Sequence, residues 1–172
     1  SRRCVTVKTA REIRAALPDD ARLVGVFQDV DLADALRIAG EVGLSAVQLH
    51  GTLPAPSGAL PLYAALQVGG EPALARLATL RGFRRVLLDG PAGGGGGVSF
   101  AWSLARKARD LFEAEVFIGG GLAPENVAQA IRAARPDGVD VASGIEGPDG
   151  FKDKDRVRDF VAAARAAARE IA

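Results

Sequence analysis

Three consecutive glycines, Gly119 to Gly121, follow a short apolar run and precede a helical stretch that begins near Pro124. A strand that ends in glycine ahead of a helix leaves backbone N–H groups and the positive end of the helix dipole facing an anion. About twenty residues on, Val139-Asp140-Val141-Ala142-Ser143-Gly144 places a second small-residue turn after the next apolar run. Adjacent turns after neighbouring strands can share one phosphate, so Gly120, Gly121, Asp140, Ser143 and Gly144 are candidate binding residues. Taken singly, each glycine could equally serve a tight turn.

Asp89 closes the apolar run Arg84 to Leu88 and is followed by Gly-Pro-Ala and five more glycines, Gly93 to Gly97. A carboxyl at a strand end beside a flexible loop suits a general acid under a lid, since closure excludes water and raises the group's proton affinity. The same residue could instead form a turn or cap a helix. His50, the one histidine, stands just past Val47-Gln48-Leu49, and a supporting, hydrogen-bonded role is expected for it. Cys4 has Arg2 and Arg3 beside it, a setting that lowers a thiol pKa, but it lies in a loop ahead of the first helical segment. No spacing of His, Cys, Asp or Glu matches a metal site.

These residues must be carried by elements that the apolar periodicity reveals. Helices are expected over Val7 to Leu17, Asp31 to Gly43, Gly70 to Leu80, Phe100 to Phe112, Pro124 to Ala134 and Asp153 to Ile171. Strands are expected over Arg22 to Phe27, Ser45 to Leu49, within Leu60 to Val68, and over Arg84 to Leu88, Glu115 to Ile118 and Gly138 to Val141. Short strands alternating with helices imply parallel pairing with helical crossovers, hence an open doubly wound sheet or a (β/α)8 barrel. Polar and glycine residues gather at the ends of four different strands, which favours the α/β barrel, whose site draws on many strand ends at one face. Only six strands are found where a barrel has eight.

The chain has 172 residues, 48% hydrophobic and 25% charged, with a formal charge of +1, as befits one domain spanning residues 1–172. No block of like charges offers a footprint for nucleic acid or an anionic membrane, and no apolar run approaches the length of a membrane span. A single cysteine can form no internal disulfide, and the expected setting is the reducing cytoplasm. The chain contains no methionine and opens on Ser1-Arg2-Arg3, so sequence upstream of Ser1 is expected.

Several segments, in order along nearly the whole chain, resemble the phosphoribosylanthranilate isomerase family. They are Val24-Gly25-Val26-Phe27, Ala46-Val47-Gln48-Leu49-His50-Gly51, Leu87-Leu88-Asp89, Phe100-Ala101-Trp102, Gly120-Gly121-Leu122-Ala123-Pro124-Glu125-Asn126-Val127 and Asp140-Val141-Ala142-Ser143-Gly144-Ile145-Glu146 with Lys152-Asp153. The resemblance implies a (β/α)8 TIM barrel performing an Amadori rearrangement in tryptophan biosynthesis, without cofactor or metal. It implies that Asp89 is the general acid, that Arg3, in Ser1-Arg2-Arg3-Cys4, binds the anthranilate carboxylate, and that the turns at Gly120-Gly121 and Ser143-Gly144 cradle the phosphate. The implied partner is a small phosphorylated substrate. The chain would act as a monomer or homodimer, with fusion to a neighbouring pathway enzyme left open.

The family's general base is a cysteine in a Lys-x-Cys-Gly motif on its first strand, and no such motif occurs here; Cys4 falls where the family usually has Tyr. The resemblance therefore implies an upstream strand-helix-strand of roughly thirty to thirty-five residues. The family's Phe-Asp-Trp reads Phe100-Ala101-Trp102, and the five-glycine loop is expected to be a looser lid. Two alternatives stand beside this reading. One is a catalytically silent barrel that binds a sugar phosphate or a partner protein. The other is a further phosphate-binding barrel of the same pathway, which the Gln-Leu-His-Gly and Leu-Leu-Asp signatures disfavour.

Overall fold

The computed structural model describes residues 3–70, 72–90 and 98–172, with the side chains at 73 and 98–101 left out of that description. The expected glycine lid, Gly93 to Gly97, lies outside the described residues. Six strands form one parallel sheet: β1 Val24–Gln28, β2 Ala46–His50, β3 Leu62–Gln67, β4 Arg85–Asp89, β5 Glu115–Gly119 and β6 Gly138–Val139. Their spatial order is their chain order. A doubly wound sheet would reverse its order at a switch point, so uninterrupted winding resolves the two folds in favour of the barrel type.

Helices cover the outer face: α1 Val7–Ala15, α2 Leu32–Val42, α3 Pro72–Ala75, α4 Val98–Leu111, α5 Val127–Ala134 and α6 Lys154–Ile171. Strand alternation sends Val47, Leu49, Ala64, Leu66, Val86, Leu88, Val116 and Ile118 into the layer beneath the helices. There they meet Leu104 and the alanines Ala35, Ala39, Ala108, Ala130 and Ala167, whose small side chains let helix and sheet approach closely. No helix among the described residues is long and apolar enough to cross a membrane.

Local chemistry sets most boundaries. Asp31 caps α2 by accepting from the Ala33 N–H, and Gly43 ends it in the left-handed conformation at φ 75°. Asp153 likewise caps α6 through the Arg156 N–H. Two helices depart from expectation. The segment Gly70 to Leu80 is only a short α3 continued by a 3₁₀ turn, Arg76–Thr79, where the Thr79 hydroxyl donates back to the Arg76 carbonyl at 2.7 Å. The helix expected from Pro124 begins at Val127, because the Asn126 side chain folds back on the preceding loop.

At the N-terminal ends of the strands, Arg85 lies between aromatic rings, 4.3 Å from the Tyr63 centroid and 3.7 Å from that of Phe117, and is paired with Glu115 at 2.7 Å. A cavity of about 920 Å³ opens at this end, lined by Tyr63, Arg81, Arg84 and Glu115 among others. Asp89 and the glycine turns are not among its lining residues.

Candidate functional site

Asp89, the last residue of β4, pairs in register with Gly119, the last of β5. Ile118 pairs with Val139, and the Asp140 N–H donates to the Ile118 carbonyl at 2.8 Å. Asp89, Gly119 and Asp140 therefore stand level across three neighbouring chain segments, and the middle one carries no side chain. A Cβ on Gly119 would lie 3.6 Å from Asp140 Oδ2, and one on Gly120 would lie 2.5 Å from Asp89 Oδ1. The glycine doublet is the floor over which the two carboxyls converge.

Burial pushes the Asp89 carboxyl above the usual carboxylate range; His50 pulls against that push, and the Asp140 charge adds to it. Asp140 is also raised by burial, against His50 and Lys152. Asp140 is the more exposed of the two by surface area, which screens its charge. A carboxyl whose proton affinity is raised by burial at a strand end is equipped to protonate a leaving oxygen.

His50 ends β2 on the same face, two residues from Gln48, whose amide nitrogen lies 3.1 Å from His50 Nε2 and orients the ring. His50 thus stands near enough to interact electrostatically with both carboxyls.

The two glycine turns pack directly on one another. Gly120 and Gly121 have φ of 77° and 67°, a conformation that glycine adopts without strain. The Asn126 carboxamide closes this loop, accepting from the Ala123 N–H at 2.8 Å and donating to the Gly121 carbonyl at 2.9 Å. A Cβ on Gly144 would run into the Leu122 carbonyl oxygen, so the Ser143–Ile145 turn fits against the first loop only because position 144 is glycine. Arg156, from α6, donates to the Gly144 carbonyl at 2.9 Å and pairs with Glu125 at 3.1 Å, tying both loops to one helix.

Arg3 is brought to this same end through Glu146, two residues past Gly144; its Nη2 lies 2.8 Å from Glu146 Oε1. The sequence marks Glu146 only as part of a family-like segment; its pairing with Arg3 spans 143 positions and leaves no local pattern. Cys4 is exposed, its sulfur 4.0 Å from the Val5 carbonyl, and is not among the clustered residues. Among the described residues, no group of three or more His, Cys, Asp or Glu is placed to hold a metal ion.

Comparison with known proteins places this geometry in context. Residues 1–163 match the family model described as N-(5'phosphoribosyl)anthranilate (PRA) isomerase. The N-(5'-phosphoribosyl)anthranilate isomerase of Myxococcus xanthus is 42% identical over 173 residues, covering 96% of this chain and 81% of that protein. The crystal structure of the phosphoribosyl anthranilate isomerase of Thermotoga maritima superposes with a TM-score of 0.84 at 36% identity, over 96% of this chain and 83% of that one. A structure of such an isomerase in complex with reduced 1-(o-carboxyphenylamino)-1-deoxyribulose 5-phosphate gives a TM-score of 0.81 at 34% identity, over 96% of this chain and 82% of that one.

Proposed function

Because the chain belongs to the N-(5'-phosphoribosyl)anthranilate isomerase family, we infer that it converts N-(5'-phosphoribosyl)anthranilate to 1-(2-carboxyphenylamino)-1-deoxyribulose 5-phosphate, with Asp89 as general acid. The observation that carries the residue assignment is the level placement of Asp89 and Asp140 across glycine, with burial raising the Asp89 carboxyl.

The chemistry follows from that placement. The ribose phosphate seats in the joined turns, Gly120-Gly121 and Ser143-Gly144, and the aromatic carboxylate meets the Arg3 guanidinium, a bidentate partner by geometry. The Asp89 carboxylic acid gives its proton to the furanose ring oxygen, the C1–O bond breaks, and the nitrogen lone pair forms a protonated imine at C1. A base then removes the proton from C2, leaving an enolamine that tautomerises to the ketose. The Asp140 carboxylate, when charged, adds to burial in disfavouring ionisation of Asp89 before transfer. His50 faces both carboxyls and holds its orientation through Gln48.

The resemblance to the family puts the base on a cysteine in a Lys-x-Cys-Gly motif, which residues 1–172 do not contain. The exposed position of Cys4 supports that reading over a role for Cys4 itself. The test is conversion of freshly prepared N-(5'-phosphoribosyl)anthranilate by the full-length protein, with the product, an isomer of equal mass, identified by the NMR signals of its ketose and by loss of the C2 proton to solvent. Appearance of the carboxyphenylamino ketose is expected. A protein that binds the reduced product analogue but makes no ketose would support the silent binding barrel instead.

A further inference from the structure

Glu146 stands where the two ends of the site meet. Its Oε1 accepts from Arg3 Nη2 at 2.8 Å, from Arg3 Nε at 3.2 Å and from Lys152 Nζ at 2.9 Å. Contact with both Nε and Nη2 fixes the plane of the guanidinium, which one N–H contact would leave able to turn. Lys152 Nζ also donates to the carbonyl of Ala142, the residue ahead of the Ser143–Ile145 turn, at 2.7 Å.

The mounting is stiff. Glu146 and Lys152 face each other in an antiparallel bridge, the Gly147 N–H donates to the Phe151 carbonyl at 2.8 Å, and the Glu146 N–H donates to the Ser143 carbonyl at 3.0 Å. The Glu146 side chain is only 8% exposed, whereas those of Arg3 and Lys152 are 49% and 48% exposed. The carboxylate is thus enclosed by its cations while each cation reaches solvent. The three groups together carry one net positive charge, the sign needed to receive a carboxylate. Hydrogen bonds from Lys152 and then Arg3 hold the Glu146 carboxyl down at about 2, so it is ionised throughout the working range.

We propose that Glu146 is a positioning residue that fixes the Arg3 guanidinium at a set distance from the Ser143-Gly144 turn, so that the site selects sugar phosphates whose N-aryl group bears a carboxylate at the matching reach. The proposal rests on the reading of Arg3 as the carboxylate binder. It deepens that reading, because the Glu146 carboxylate and its lysine tie a guanidinium carried on the chain ahead of α1 to the phosphate turn.

The experiment compares two non-reacting ligands on the full-length protein: the reduced product analogue with its 2-carboxyphenyl group, and the same compound with a plain phenyl group. The readout is the ratio of their dissociation constants, which a general loss of folded protein does not change. Glu146→Gln is expected to weaken the carboxylate-bearing ligand by about 10-fold or more, equal to about 1.4 kcal/mol, while changing the phenyl ligand less than about 2-fold. Glu146→Asp, which keeps the charge and shortens the reach, should give an intermediate ratio and decides the matter if Glu146→Gln does not fold. Equal weakening of both ligands, or an unchanged ratio in the folded variants, overturns the proposal. Arg3→Ala separates the two readings. If it leaves the ratio unchanged, the assignment of Arg3 itself fails; if it collapses the ratio while the Glu146 variants do not, only the positioning role fails.

Discussion

Gly120 offers a prediction whose size can be worked from the structure. It stands at φ 77°, and a Cβ there would lie 2.5 Å from Asp89 Oδ1 and from the Gly90 nitrogen, about 0.9 Å inside ordinary contact. For Gly120→Ala the left-handed backbone alone costs about 1–2 kcal/mol. The Gly90 nitrogen is main chain and yields little, so the Asp89 side chain must retreat, and displacement of a catalytic group by about 1 Å costs about 10²-fold in turnover. Gly43 supplies the control: it has nearly the same φ, 75°, with nothing within 4 Å of its built Cβ. Gly43→Ala should therefore lower stability by the same 1–2 kcal/mol or about 2–8 °C in Tm, with kcat unchanged. Thermal unfolding and steady-state turnover of the two variants, side by side, check this. Gly120→Ala with kcat within about 3-fold of the parent would refute the reasoning, since a 1 Å shift at the acid should cost far more.

Three further outcomes are expected. Arg85→Ala removes two ring contacts and an ion pair at the N-terminal end of the strands and should cost about 1–3 kcal/mol in denaturant unfolding, with turnover at saturating substrate unaltered. Asp89→Asn should raise Tm at neutral pH: the folded pKa lies above the unfolded one, so ionised Asp89 destabilises the fold above that raised pKa. The gain should shrink as pH falls through it and vanish below the unfolded pKa. Glu146 works in the opposite sense. Its pKa falls from 4.5 to about 2 on folding, so its contribution is present above pH 4.5 and is lost as pH falls toward 2. Acid titration of stability should show a flatter limb in that window for Glu146→Gln than for the parent.

Much of the fold was legible because its elements obey local rules. Asp31 and Gly43 bracket α2, and the end of β4 at Asp89 follows from an apolar run meeting a glycine-rich stretch. What stayed hidden depended on side chains reaching beyond their own element. Thr79 diverts its hydroxyl to the Arg76 carbonyl, and Asn126 spends its amide on the Gly121 loop, so both helices there differ from their apolar pattern. The site divides in the same way. Asp89 and the glycine turns were visible as types at strand ends, but the level alignment of Asp89 with Asp140 needs the strand register. The Arg3–Glu146 pairing needs closure of the chain over 143 positions, which no periodicity encodes.

The most direct test of the account is Asp89→Asn, measured for turnover and for binding of the reduced product analogue on the same preparation. The substitution keeps shape and removes the transferable proton. The account predicts that kcat falls by about 10²–10⁴-fold, the range for loss of a general acid, while the dissociation constant moves less than about 3-fold. Full retention of kcat would contradict the assignment of Asp89 as the acid, and parallel loss of binding and turnover would make it a structural residue.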